Sequence, residues 1–283
     1  MRINHNISSM ITQGTLNKVN REMTTSLERL STGLRINRAS DDAAGLGVSE
    51  NLRTQIRGTA QARRNAQDGI AALTIAEGAA NEISDLLQRM RELAIQSAND
   101  TLTDTERAYT NQEFQQLIAE IDRIAEVTNY NGMKLISDTE GQTTNTRFGM
   151  GDGSFLWIDA NASDSDNIRI QIAALSTEGL NIDEENVSDQ AGSRDAIVAL
   201  DDAIDGVNTM RANMGAYINR LEHAINNLTI SNTNQQSAES LIRDVDFAHE
   251  SSRFTRNQIL TQSGTAMLAQ ANMTPQSVLS LIG

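Results

Sequence analysis

The chain of 283 residues has no cysteine, one proline (Pro275), one tryptophan and only 3% aromatic residues. Without cysteine there is no disulfide, no thiolate nucleophile and no cysteine-ligated zinc. Large compact cores lean on aromatic bulk, and loop-rich domains use more proline. Their joint scarcity points to long helices packed through Ala, Leu, Ile and Met. No run approaches the roughly eighteen consecutive apolar residues of a bilayer-spanning helix, so membrane insertion is excluded. The opening stretch, MRINHNISSMITQG, lacks the basic segment and continuous apolar run of a secretory signal. Charge is missing too from the last twenty-one residues, SGTAMLAQANMTPQSVLSLIG, although the chain as a whole carries −14.

That deficit of charge is regional. Between Asp138 and Asp205 stand fifteen acidic and three basic residues (Arg147, Arg169, Arg194), a balance of −12 that leaves −2 for the rest. The ends are nearly neutral and the middle is strongly acidic, as expected of a solvent-facing segment.

What is present is periodic. From Ala62 a small or apolar residue recurs at alternating steps of three and four: Ala66, Gly69, Leu73, Ala76, Ala80, Ile83, Leu87, Met90, Ala94, Ser97. This is a heptad seam. A second helix with Phe114, Leu117, Ile121 and Ile124 follows the capping signal TDTE. A third seam runs through Ile197, Leu200, Ile204, Val207, Met214, Ile218, Leu221, Ile225 and Leu228. Three antiparallel coiled-coil helices account for these patterns. Each end of the chain reads as one amphipathic helix, with Leu16, Val19, Met23, Leu27, Leu30 and Leu34 in the first seam. A lone helix of this kind is marginal, so each end needs a partner. Between the helices, RFGMGDGSFLWIDAN predicts two short strands around GDG, and NIRIQI alternates as a third strand. The fold class is therefore mainly α, a long antiparallel coiled-coil rod with a small β-hairpin insertion.

Several motifs invite chemistry and do not support it. FGMGDGS has closely spaced glycines, but no Lys-Ser/Thr and no helix follows, so it reads as a turn rather than a phosphate loop. DANASDSD places Asp159, Asn161 and Ser163 as a calcium loop would. It has Asp164 where glycine belongs and Ile170 where glutamate belongs. HESSR at His249 lacks the second histidine of a metalloprotease. Arg53, Arg57, Arg63 and Arg64 cluster, but the sequence pI is about 4.6 and stacking aromatics are absent there. No catalytic residues, no cofactor site, no metal site and no nucleic-acid surface emerge.

Several segments resemble the bacterial flagellin family: LSTGLRINRASDDAAGLGVSENLRTQIRG, LQRMRELAIQSAND, EIDRIAEVTNYNGMKLI and ILTQSGTAMLAQAN. They occur in order and cover the chain to residue 137 and from about 196 onward. The resemblance implies a subunit that polymerises into the helical filament bacteria rotate to swim. It implies paired N- and C-terminal helices forming an inner layer at 1–40 and 239–283. The rod then comprises 41–137 and 191–238, with the acidic hairpin at 138–190. Polymerisation contacts fall at Ile3, Ile7, Leu16, Met23, Leu27, Leu30 and Leu34, and at Leu260, Met267, Leu268, Val278, Leu279 and Leu281. The segments Met1–Leu34 and Ile242–Gly283 are expected to order only on assembly. A charge in that inner layer would be buried at a cost of several kcal/mol, which accounts for the neutral tail.

The implied partners are other copies of the chain, the flagellar export apparatus, a flagellin chaperone, the distal cap and hook-filament junction proteins. The implied location is a secreted, extracellular filament, with a periplasmic filament as the alternative. A hook-filament junction protein, which shares the terminal helices, is the alternative function. Arg89, Leu93 and Glu113 match the motif by which a vertebrate Toll-like receptor senses flagellins. In the connector RINRASDDAAGLGVSE, Arg35 and Arg38 are candidates to pair with Asp41, Asp42 or the segment Arg243–Asp246; solvated surface charges are the other reading.

Overall fold

The computed structural model describes residues 5–137, 148–149, 153–161 and 163–279, without the side chains of 164 and 274–279. It is mainly helical and divides into two compact units, Ile56–Asn232 and a terminal unit of Met1–Gln55 with Thr233–Gly283. The described residues form five α-helices: α1 (Ile7–Thr32), α2 (Ala43–Ser97), α3 (Asp104–Val127), α4 (Gln190–Arg243) and α5 (Phe247–Leu279).

Each helix begins where a short polar side chain takes an otherwise unpaired backbone N–H. Asn6 accepts from Ser9 N at 3.0 Å and Asp42 from Gly45 N at 2.8 Å. Asp189 accepts from Gly192 N, and Asp246 from the amides of Ala248 and His249. Thr103 and Glu106 close the capping box that TDTE predicts, with Glu106 Oε2 accepting from Thr103 N at 2.8 Å.

In the central unit the heptad seam is the core. All eleven positions from Ala62 to Ser97 are buried. They meet Phe114 and Ile121 of α3 and Leu200, Val207, Met214 and Leu221 of α4. The α2–α4 pair is antiparallel: Arg91 Nε donates to Asp201 at 2.6 Å, and Asn232 Nδ2 reaches Ile56 O and Thr59 Oγ1 at 2.9 Å.

The β structure differs from the expected pattern. The hairpin pairs β3 (Ser154–Trp157) with β4 (Asn167–Ile170), so the second and third predicted strands join through the loop 158–166. Phe148, in the first predicted strand, instead donates its amide to Lys134 O at 3.0 Å. Asp138–Arg147 and much of GDG lie outside the described residues. Leu156, Ile168 and Ile170 face inward and bring the hairpin onto α2. A Cβ on Gly69 would stand 2.4 Å from Leu156 Cδ2, and one on Gly58 2.5 Å from Ala160 Cβ. Glycine permits this approach. A further short pair, β1 (Asn129–Tyr130) with β2 (Met133–Lys134), turns at Asn131-Gly132, both at positive φ.

The segment 171–189 has no regular strand yet is tied closely to the bundle. Thr177 donates from its backbone and hydroxyl to Asp122 at 2.9 and 2.8 Å. Val187 N donates to Asn111 at 3.0 Å, and Ser97 Oγ donates to Val187 O at 2.6 Å. Ile172, Leu175, Ile182 and Val187 are thereby buried.

Candidate assembly surface

The terminal unit pairs α1 antiparallel with α5. Asn6 Nδ2 donates to Ala271 O at 2.7 Å, and Thr261 Oγ1 to Asn20 Oδ1 at 3.4 Å. Between these, α1 approaches α5 at Gly264, where a Cβ would lie 3.2 Å from Leu16 Cδ1. Towards the connectors Ser26 Oγ donates to Glu250 Oε1 at 2.5 Å. Both residues are buried, and Arg29 and Arg253 stand 3.8 and 3.7 Å from the other carboxylate oxygen. So the seam of this pair is largely polar: Ser26, Glu250 and Asn257 are buried beside Val19. Glu250 is the acid of HESSR, and its partner comes from the other end of the chain.

Because the seam takes so few apolar side chains, many remain outside. Ile7, Met10, Ile11 and Leu27 of α1 are exposed, as are Phe247, Ile259, Leu260, Met267 and Met273 of α5. Leu241 is 85% exposed. A groove of about 500 Å³ runs along α5 between Ser251, Ser252, Thr255, Arg256, Ile259 and Leu260. Among the residues singled out from sequence, Ile7, Leu27, Leu260 and Met267 are exposed, while Leu16, Met23, Leu30, Leu34 and Leu268 are half-buried. Ile3 and Leu281 lie outside the described residues, as do the side chains of Val278 and Leu279. Periodicity did not pick out Ile11, Phe247 and Met273; their signal was being apolar where few buried positions exist.

The connectors between helices are zipped together. Leu34 and Asp244 form an antiparallel β-bridge, with Arg35 N donating to Arg243 O at 2.7 Å and Val245 N to Gly33 O at 3.0 Å. The expected side-chain pairs are replaced by others. Arg38 bonds Glu28 at 3.0 Å, Arg35 donates to the carbonyl of Ile242, and Arg243 reaches Glu50 at 2.6 Å. Asp41 accepts the amides of Arg38 and Asn37 at 3.0 and 3.1 Å. Those contacts, that of Arg38 foremost, lower its carboxyl below the ordinary value, aided by Arg29.

In the central unit Arg89 and Glu113 come together. Arg89 Nη2 and Nε donate to Glu113 Oε1 at 2.8 and 3.1 Å, and Nη1 donates to Glu92 at 3.0 Å. Leu93 is 1% exposed, in the chain's own core between α2 and its neighbours.

No described helix is long and apolar enough to cross a membrane. The described residues hold no group of three or more His, Cys, Asp or Glu suited to a metal. Residues 3–141 match the model of the bacterial flagellin N-terminal helical region, and residues 197–282 that of the flagellin C-terminal helical region. The chain belongs to the bacterial flagellin family. It is 45% identical over 282 residues to a flagellin of Halalkalibacterium halodurans, the whole of both chains being covered. It is also 45% identical over 292 residues to the flagellar filament 33 kDa core protein of Treponema phagedenis, again over the whole of both. The crystal structure of Bacillus cereus flagellin superposes with a TM-score of 0.50 at 33% identity, covering 62% of this chain and 94% of that one.

Flagellins are structural proteins of motility, not enzymes. This one is a subunit that polymerises with its own kind into the flagellar filament. Its full-length relatives named here are filament proteins, and they give the hook-filament junction alternative no preference.

Proposed function

We propose that the α1–α5 pair is the polymerisation surface of this flagellin and forms the inner layer of the filament. The observation that carries the reading is the apolar surface left on a pair with almost no core. Ile7, Leu27, Leu260 and Met267 are exposed on helices whose own seam buries mainly Ser26, Glu250 and Asn257. Leaving so many apolar side chains in water is unfavourable, and a second copy removes them from it. Leu16, Met23, Leu30, Leu34 and Leu268 complete the contact, together with Ile3, Val278, Leu279 and Leu281. The inner layer then comprises 1–40 and 239–283, and the rod 41–137 and 191–238. The acidic segment 138–190 faces outward, where water and salt screen repulsion between copies.

The test is removal of Thr274–Gly283. The truncated chain is expected to keep the helical circular dichroism and melting of the central unit while losing filament formation by electron microscopy. Normal polymerisation of the truncated chain overturns the reading.

The remaining partners follow from membership of the flagellin family. The chain is exported by the flagellar export apparatus with a flagellin chaperone. It assembles beneath a distal cap and on a base of hook-filament junction proteins. The filament is secreted and extracellular; a periplasmic filament is the alternative, and antibody binding to intact cells separates the two. Arg89 and Glu113 offer a paired surface to the flagellin-sensing Toll-like receptor, with Leu93 acting from beneath as packing. Arg89→Ala should weaken receptor activation by monomer without lowering its melting temperature. A wild-type monomer that fails to activate the receptor rejects this part alone.

A further inference from the structure

The hairpin of the central unit has an outward face unlike the rest of that segment. Its inward residues, Leu156, Ile168 and Ile170, pack against the bundle. Outward on β3 stand Phe155, 58% exposed, and Trp157, 43% exposed. Register sets Phe155 opposite Arg169 and Trp157 opposite Asn167. Arg169 is exposed and is the one basic residue between Arg147 and Arg194. So the only tryptophan of an aromatic-poor chain is held at the surface, with a phenylalanine beside it and Arg169 on the paired strand. Trp, Phe and Arg are side chains that interfaces favour, since each offers large rigid or forked contact at small entropic cost.

The same unit carries a complementary patch. On α4, Asp195, Val198, Asp202 and Asp205 recur at steps of three and four and share one helix face. All four are exposed, Val198 at 62%. An apolar residue among carboxylates matches an aromatic pair beside a guanidinium in both polarity and charge.

We propose that the Phe155–Trp157–Arg169 face of one subunit docks on the Asp195–Val198–Asp202–Asp205 stripe of a second copy in the filament. The two patches differ, so the contact is heterologous and leaves one free patch at each end, as an open polymer requires. The proposal rests on the filament reading, which brings every copy against its neighbours at fixed offsets.

Trp157, being the only tryptophan, reports on the contact directly. In wild-type filaments its emission should shift to shorter wavelength and its quenching by acrylamide should fall severalfold relative to monomer. Phe155→Ala should raise the critical concentration for polymerisation about tenfold. Arg169→Glu should do the same, and adding Asp202→Arg and Asp205→Arg to it should restore polymerisation to within about threefold of wild type. Monomer melting should be unchanged throughout, which separates lost docking from lost folding. Filaments in which Trp157 is quenched as readily as in monomer overturn this interface and leave the filament reading intact. Failure of the charge swap to rescue Arg169→Glu overturns it as well. A wild-type chain that forms no filament overturns both.

Discussion

The two units solve the same problem, packing long helices with few aromatics, in opposite ways. The central unit buries an unbroken seam from Ala62 to Ser97 against α3 and α4, with Leu73, Ile83, Leu87 and Met90 fully enclosed. In the terminal unit Val19 and Ile36 are the buried hydrophobic residues among those described, and polar Ser26, Ser49, Glu250 and Asn257 are buried with them. Three helices enclose a core; two cannot, because most of each helix's circumference stays uncovered. One unit is complete in the monomer, and the other carries its surplus apolar surface outward.

The largest effect that would break this contrast lies in the central seam. Leu87→Asp sets an unpaired carboxylate in a fully buried site and should cost about 4 kcal/mol or more, seen as a collapse of the helical melt. The matching change in the terminal pair, Met267→Lys, falls on an exposed side chain. It should alter monomer stability by less than about 0.5 kcal/mol yet abolish filament formation. An equal fall in melting for both variants would mean the terminal pair has a core of its own.

A second comparison is sharper within the terminal pair. Glu250→Ala leaves the Ser26 hydroxyl buried without its acceptor, a loss of about 1–3 kcal/mol. Amide exchange should then quicken along α1 and α5 and stay unchanged from Leu73 to Ala94. In wild type, exchange in α1 and α5 should already be fast in monomer and slow in filament, since sparsely packed elements open most readily. In the structure each terminal helix is the other's partner, and this exchange comparison tests the expectation that the pair orders fully only on assembly.

Smaller effects test the joints. Gly58→Ala brings a Cβ to 2.5 Å from Ala160 Cβ and 3.0 Å from its Cα. The helical gain from alanine should be outweighed, for a net loss of about 1 kcal/mol read from melting. Smallest is Asp41 in the connector. Its carboxyl is lowered in the fold, so its contribution is present above the ordinary carboxylate value, about pH 3.9, and lost as pH falls through the lowered native value. Exchange of the Asn37 and Arg38 amides should quicken across that acid range, and Asp41→Asn should remove the step.

Much of this was legible in the sequence for local reasons. Heptad spacing picked out eleven positions of α2 that are all buried, though not Ala72, Ser84 or Leu93, and Thr103 with Glu106 announced the start of α3. The Asn131-Gly132 turn carried an equally local signal in NYNGMK, which the wider helical pattern overshadowed. The hairpin was legible but its pairing was not, because alternation marks a strand without naming its partner; β3 pairs forward with β4 across the loop 158–166. The candidate surface was half legible. Leu27, Leu260 and Met267 stood out as apolar, but a seam alone does not say which of its residues a two-helix pair leaves uncovered.

By itself the sequence determined the helices, their caps, the central seam and the neutral tail, since each depends on residues within a few turns of one another. Only the tertiary structure decided that Glu250 meets Ser26, that 171–189 is anchored through Asp122 and Asn111, and that Leu93 is enclosed while Arg89 and Glu113 join above it. Those contacts link residues far apart in the chain, so they follow from which helices pack and in which register, and no local pattern encodes that register.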